Sequence, residues 1–265
     1  MAIDRVRERW EAGQTALNAW LVLEGGTSAA AVAAAGFDAV TVDLQHGRAT
    51  EASLAELARA IEAAGAVPFA RLRWNDPAEV MRTLDLGVRG LICPMVGTRA
   101  DAERLVAACR YPPEGVRSYG PIAGAFGVGR DQIASARERV LVFAMIETAE
   151  GFGNLDEIAA TPGLNGLYVG PADLSLGLGL TSFADLRDEG LLEALDAVVD
   201  AAHRHGVAAG VHAPSSERSV EMIERGFSFV TPAVDVDLLA DRAAQVLSDL
   251  RAHLSDRNGR RETSS

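Results

Sequence analysis

Short apolar runs rich in β-branched residues alternate with helical stretches eight times along this chain, and few folds accommodate that rhythm. The runs are Ala16 to Glu24 (ALNAWLVLE), Phe37 to Leu44 (FDAVTVDL), Val67 to Leu72, Gly90 to Val96, the run opening at Leu141, the run entering Gly170-Pro171, Val207 to Val211, and Phe227 to Ala233. Such runs suit parallel strands covered on both faces. Between them the punctuation is helical: Thr27 and Ser28 can cap Ala29 to Ala35, and Pro77 suits the first turn of a helix reaching Leu86. Further helices are expected at Glu51 to Ala64, Arg99 to Arg110, Leu186 to His205, Ser216 to Arg225 and Val236 to Leu254, with a short amphipathic one within residues 1–14. The pattern predicts a single (β/α)8 barrel over residues 1–254 and a disordered polar tail at 255–265; a doubly wound open sheet is the alternative.

One segment breaks the rhythm. Residues 111–140 hold the run YPPEGVRSYGPIAGAFGVGRDQ, with three prolines and five glycines, ahead of a short helix expected at Gln132 to Glu138. An excursion of that length reads as a lid or an inter-subunit arm. Its Gly124-x-x-Gly127-x-Gly129 spacing is not that of a dinucleotide loop and joins no strand to a helix, so it carries no nucleotide-binding expectation.

Composition removes several functions. The net charge of −12 would repel nucleic acid and anionic membranes. No apolar run reaches the ~18 to 20 residues that span a bilayer. Two cysteines, Cys93 and Cys109, and no leader-like opening point to a reducing cytoplasm, with Cys93 a buried small hydrophobe within GLICPMV. All 25 basic residues counted as Lys plus Arg are arginine. Imine chemistry needs an amine that can lose its proton, which guanidinium cannot do, so Schiff-base aldolases and pyridoxal-phosphate enzymes are excluded.

The stretch Leu141 to Ser175 then carries the chemistry. It reads strand, helix, strand, with Glu147 at the end of the first strand and Asp173 just past the second. A parallel crossover sets these carboxylates side by side at the carboxyl ends of neighbouring strands, where barrels bind ligands. Two hard oxygen donors beside the Gly170-Pro171 turn suit a divalent cation carrying an anionic substrate. The blander role for Glu147 is capping the helix that follows. Other strand ends add Gln45 and His46, Arg71 and Arg73, Pro94 and Met95, and His212. Arg71 and Arg73 alternate, so only one can face the mouth, and Arg71 is the choice.

The phrases VDLQHG, RLRWNDP, LICPMV, RYPPEGVRSYGP, MIETAEG and GPADLS, in that order, resemble the metal-dependent (class II) pyruvate aldolases of the HpcH/HpaI aldolase and citrate lyase family, over roughly residues 15–250. The resemblance implies a barrel, a homo-oligomer (a hexamer, as a trimer of dimers) with its last helix exchanged between neighbours, and a Mg²⁺, Mn²⁺ or Co²⁺ ion. It implies Glu147 and Asp173 as metal ligands, His46 as catalytic base, Asp85 as the carboxylate orienting it, and Arg71 as the group meeting the enolate oxygen. The backbone amides of Ala172 and Asp173 would hold the substrate carboxylate, and Trp20 would stand in the wall. Four positions depart from better-known members: Gln45 replaces a glutamate near metal-bound water, Met145 a glutamine, Gly124 an arginine, and His212 an apolar residue facing the aldehyde. Substrates would be a 2-oxo acid and an aldehyde. Citrate-lyase-like or macrophomate-synthase-like use of the same enolate, or passive binding of a 2-oxo acid, are the alternatives.

Overall fold

The computed structural model describes residues 5–120 and 138–262, with side chains of the last helix as far as Leu254. Gly124, Gly127, Gly129 and most of the short helix expected at Gln132 to Glu138 lie outside the described residues. Eight parallel strands close into a barrel in sequence order: β1 (Ala16–Leu21), β2 (Ala39–Asp43), β3 (Val67–Arg71), β4 (Gly90–Cys93), β5 (Leu141–Ile146), β6 (Gly166–Val169), β7 (Ala208–His212) and β8 (Phe229–Val234). The open-sheet alternative fails at the seam, where β8 pairs with β1. Several strands are shorter than their apolar runs, since the run continues past the last ladder bond into the loop that builds the mouth. Val22, Leu23 and Glu24 follow β1 in this way, and Pro94 to Val96 follow β4.

The helices are α1 (Arg5–Glu11), α2 (Gly26–Ala34), α3 (Glu51–Ala63), α4 (Pro77–Asp85), α5 (Arg99–Cys109), α6 (Ala149–Gly153), α7 (Leu155–Ala159), α8 (Pro171–Gly177), α9 (Glu189–His205), α10 (Ser216–Glu224) and α11 (Asp235–Glu262). At α4 the Asp76 carboxylate accepts from the Ala78 and Glu79 amides ahead of Pro77, and Thr98 and Asp101 close a capping box on α5, but α2 starts at Gly26 behind Gly25 with no side-chain cap, so Thr27 and Ser28 lie inside it. The tail expected to be disordered from residue 255 is instead helical backbone as far as Glu262, continuing α11.

Two apolar cores result. One lies between strands and helices. The other fills the barrel with rings: Phe143 stands 5.0 Å from Phe229, and Phe69 5.2 Å from Phe229. Strand glycines make this possible, because a Cβ at Gly90 would overlap the Phe69 ring and one at Gly166 the Phe143 ring. Trp10 of α1 closes the floor, its Nε1 donating to the Ser228 carbonyl at 2.8 Å. Above the rings a buried polar ladder crosses the barrel: Thr41 donates to Asn18 Oδ1, Asn18 Nδ2 donates to Thr231, and Tyr168 Oη shares a bond with Thr231 at 2.7 Å. That satisfied layer is the rigid base of the mouth.

Residues 111–120 follow α5, which runs away from the mouth, so this described flank of the long excursion lies at the amino-terminal end of the barrel. No helix among the described residues is long and apolar enough to cross a membrane.

Candidate active site

The carboxyl ends of the strands surround a cavity of about 400 Å³. Trp20, Asp43, His46, Arg71, Asp173 and His212 all line it, a charge density out of keeping with a purely structural surface.

Glu147 stands one residue beyond the last residue of β5, and Ile146 pairs with Val169 of β6, so β5 and β6 deliver Glu147 and the Gly170–Asp173 turn to the same edge. Glu147 is 3% exposed. The helix-cap reading of this residue fails, because Thr148 caps α6 by accepting from the Gly151 amide. The Glu147 carboxylate turns across to β4, where Oε1 accepts the Met95 amide at 2.7 Å. Met95 adopts φ 56°, a left-handed conformation unusual for its side chain, and this aims its amide inward. Oε2 stands over Gly170, where a Cβ would come within 3.1 Å of it. Burial, with the repulsion of Asp173 adding to it, pushes the Glu147 carboxyl up to about 7.

A carboxyl raised by burial, with a second acid nearby and one oxygen in a cradle that glycine leaves open, is a donor set suited to a hard divalent cation. Among the described residues no group of three or more His, Cys, Asp or Glu gathers around such a point. An ion held there by Glu147 and Asp173 alone would take its remaining ligands from water and substrate.

Arg71 is 9% exposed and fixed on three sides. Its Nε donates to Asp43 Oδ1 at 2.9 Å, its Nη2 donates to Asp43 Oδ2 at 2.5 Å, and its guanidinium carbon lies 5.0 Å from the centre of the Trp20 ring. Arg73 lies outside, exposed, with backbone and Nε both bonded to Glu79. Asp43 is the residue that sequence reasoning missed. It ends β2, is 1% exposed, and accepts from Arg71, from Trp20 Nε1 at 3.2 Å and from the amides of Gln45 and His46. Burial alone would raise its carboxyl, but the Arg71 bonds outweigh that and hold it below the ordinary carboxylate range. The signal lay in VDLQHG, an acid at the final position of an otherwise apolar strand.

His46 is exposed at the cavity and carried on the turn that Asp43 ties down. Its predicted partner Asp85 is not there. Asp85 ends α4, at the opposite end of the barrel, and its Oδ1 accepts Arg117 Nη2 at 2.8 Å. A helix that follows a strand runs back down the barrel, so within one chain its last residue cannot reach the mouth. Gln45 also lies off the cavity wall, half-buried, with its amide on Asp43. Ala172 and Asp173 line the cavity within the first turn of α8. Met145 and Tyr168 line it too, the Tyr168 ring stacked 5.8 Å from Trp20. His212 ends β7 edge-on to Trp20 at 5.4 Å, and burial followed by the nearby Arg71 lowers its imidazole to about 4. Cys93 is fully buried, and burial raises its thiol well above the ordinary range, so it is no nucleophile.

Comparisons with known proteins place the chain in a family. Residues 17–241 match the model of the HpcH/HpaI aldolase/citrate lyase family. A hydroxypyruvate/pyruvate aldolase of Rhizorhabdus wittichii is 40% identical over 94% of this chain and all of its own. A 5-keto-4-deoxy-D-glucarate aldolase of Escherichia coli is 32% identical over 90% of this chain and 93% of its own. A solved structure of a family member from Burkholderia cenocepacia, 32% identical, superposes with a TM-score of 0.87 over 94% of this chain and 99% of its own. With its closed barrel and these relatives, the chain belongs to the HpcH/HpaI aldolase/citrate lyase family and is an aldolase, a carbon–carbon lyase.

Proposed function

We propose that the protein reversibly cleaves a 4-hydroxy-2-oxo acid into pyruvate, or a related 2-oxo acid, and an aldehyde, with a divalent cation (Mg²⁺, Mn²⁺ or Co²⁺) held by Glu147 and Asp173. The observation that carries this reading is the buried Glu147, brought with Asp173 to the same edge of the mouth by the neighbouring strands β5 and β6, in a chain without lysine. The cation would supply Lewis acidity toward the carboxylate and keto oxygens of the 2-oxo acid.

The chain's own residues do the rest. The amides of Ala172 and Asp173 take the substrate carboxylate. Arg71, held by Asp43, presents fixed positive charge to the oxygen on which negative charge develops as the C3–C4 bond breaks, a type of contact worth about 3 to 4 kcal/mol when a donor is removed. The bonding pair passes to C3 and the keto group. His46 takes the proton of the C4 hydroxyl, so that C4 leaves as the aldehyde, and C3 is then protonated to give the methyl group of pyruvate. Trp20 and Tyr168 close the wall behind. If Asp85 orients His46, it does so from a second copy of the chain, since within one chain the two stand at opposite ends of the barrel.

The test is exchange of pyruvate methyl protons in deuterated water, followed by NMR. Exchange should require added divalent cation, stop with chelator, and be lost in Glu147→Gln and Asp173→Asn variants that keep the circular dichroism of the barrel. Exchange at an undiminished rate after thorough chelation would sink the metal assignment, and a passive binder of 2-oxo acids would show no exchange at all.

A further inference from the structure

The mouth is chemically divided by strand order. Strands β2, β3 and β6 deliver the titratable groups that line it, Asp43 and His46, Arg71, and Asp173, and the buried Glu147 follows β5. The arc from β7 through β8 to β1 carries Pro214, Val234, Val22 and the Trp20 indole, whose Nε1 is bonded to Asp43, and the loop between α8 and α9 adds Ala184 and Leu186. The other polar side chain that this arc brings to the cavity is His212. Among the described residues Arg71 is the only permanently cationic side chain lining the cavity, and both its Nε and Nη2 are already committed to Asp43.

On the reading given above, the 2-oxo acid occupies the charged arc, so the substituent of the aldehyde lies against the apolar one. We propose that the acceptor half of this cavity selects uncharged aldehydes and disfavours aldehydes bearing a carboxylate, with the Val22, Leu186, Pro214 and Val234 wall and His212 as the specificity-determining residues. An acid placed there would exchange water for hydrocarbon, and the cation nearest to it, Arg71, is already paired with Asp43. His212 is uncharged at neutral pH, so it offers such an acid a hydrogen bond and no counter-charge. It can do the same for the hydroxyl of a neutral aldehyde. A cavity of about 400 Å³ leaves room for a short chain beside the 2-oxo acid.

This assignment rests on the aldolase reading, and the experiment separates the two. With pyruvate as donor and saturating Mn²⁺, kcat/KM is measured for butanal and for succinic semialdehyde, which match in carbon number and differ in the terminal carboxylate. Butanal should be favoured by about tenfold or more, the scale on which an apolar pocket lacking a partner for a polar group discriminates. Pro214 is exposed at the rim, between β7 and the cap of α10, so Pro214→Arg adds a cation to the apolar arc from a position with room for its stem. That variant should move the ratio toward the acid by about fivefold, part of what one charge pair at a protein surface can contribute.

Methyl-proton exchange of pyruvate is read in the same preparations. Exchange together with equal or better use of succinic semialdehyde overturns the acceptor assignment alone. So does exchange with neither aldehyde used, or a ratio unmoved by Pro214→Arg. Absence of exchange removes the aldolase reading and the acceptor assignment with it.

Discussion

Asp43 shows how a single carboxylate can organise a site without touching the reaction. Its two oxygens fix Arg71, tether the Trp20 indole and hold the turn that carries His46, so three elements of the mouth share one acceptor. Asp43→Asn keeps the size but presents an N–H₂ where Arg71 must donate, leaving a buried guanidinium short of an acceptor. Expected is a loss of about 10²-fold in kcat/KM for aldol cleavage, mostly in kcat, because Arg71 acts on charge that develops only as the bond breaks. Steady-state kinetics of the cleavage reaction checks it, and an effect confined to KM would assign Asp43 to substrate binding instead. His212 carries a second prediction. Its folded imidazole titrates near 4 against an unfolded value near 6.5, so between those values the unfolded chain binds the extra proton and the folded one does not. The stability it contributes is present above about pH 6.5 and is lost as pH falls toward 4, on the order of 3 kcal/mol across that window. Glu147, raised to about 7, acts in the opposite sense over the same range, so the share of His212 is read as a difference: in urea unfolding at pH 7 and pH 5, His212→Leu should lose less stability on acidification than the parent. His46, Arg71 and His212 could be placed at the mouth from sequence because each closes or follows a strand, whereas Trp20, inside β1, was placed only by the family resemblance. Asp43 escaped notice because an acid ending a strand looks the same whether it meets solvent or a buried arginine, and only the β2–β3 register, which pairs Asp43 with Arg71, decides between them.

At the scale of elements, the barrel depends on where side chains are absent as much as on where they are present. Gly90 of β4 and Gly166 of β6 each leave the space that a phenylalanine ring of the preceding strand occupies. Gly90→Ala should destabilise the protein by about 1 to 3 kcal/mol, since the Phe69 ring must leave its rotamer within a packed barrel. Denaturant unfolding followed by fluorescence checks this, and an unchanged midpoint would show that the ring layer yields more easily than its packing implies. Gly170 has a different duty at the mouth. A methyl group there would come within 3.0 Å of Met145 Cε and 3.1 Å of Glu147 Oε2, so Gly170→Ala should weaken Mn²⁺ binding several-fold in calorimetric titration while leaving the melting temperature near that of the parent. Periodicity and caps made the eight strands and the helices between them legible, because burial on both faces and helix starts are local signals. Strand ends were less so: an apolar run does not reveal where the ladder stops and the mouth begins, as the stretches after β1 and β4 show. Nor did local signals place Asp85, whose distance from His46 follows from helix direction, a property of the closed barrel.

The whole molecule ends in a feature that one barrel does not explain. α11 begins at the mouth, where Asp235 accepts the amides of Val22 and Leu23 at 2.9 and 3.1 Å, and then runs on for 28 residues, roughly 42 Å of helix. From Val236 to Leu254 every side chain is exposed, and Val236, Leu239, Val246, Leu247, Leu250 and Leu254 repeat at helical spacing. An apolar stripe of that length on a chain of net charge −12 calls for another surface to cover it. The homo-oligomer with an exchanged last helix, implied by the family resemblance, supplies one from a second copy, and the same assembly could bring Asp85 of one chain to His46 of another. Sedimentation velocity should therefore give a mass several times the 27.9 kDa of the chain. The double substitution Leu239→Arg and Leu250→Arg should lower that mass while leaving the circular dichroism of the barrel in place. Because Asp235 ties the root of α11 to the wall of the cavity, the dissociated variant should lose cleavage activity as well as mass. A variant of monomer mass with full kcat would show that one barrel carries a complete site, and would place any carboxylate partner of His46 within its own chain.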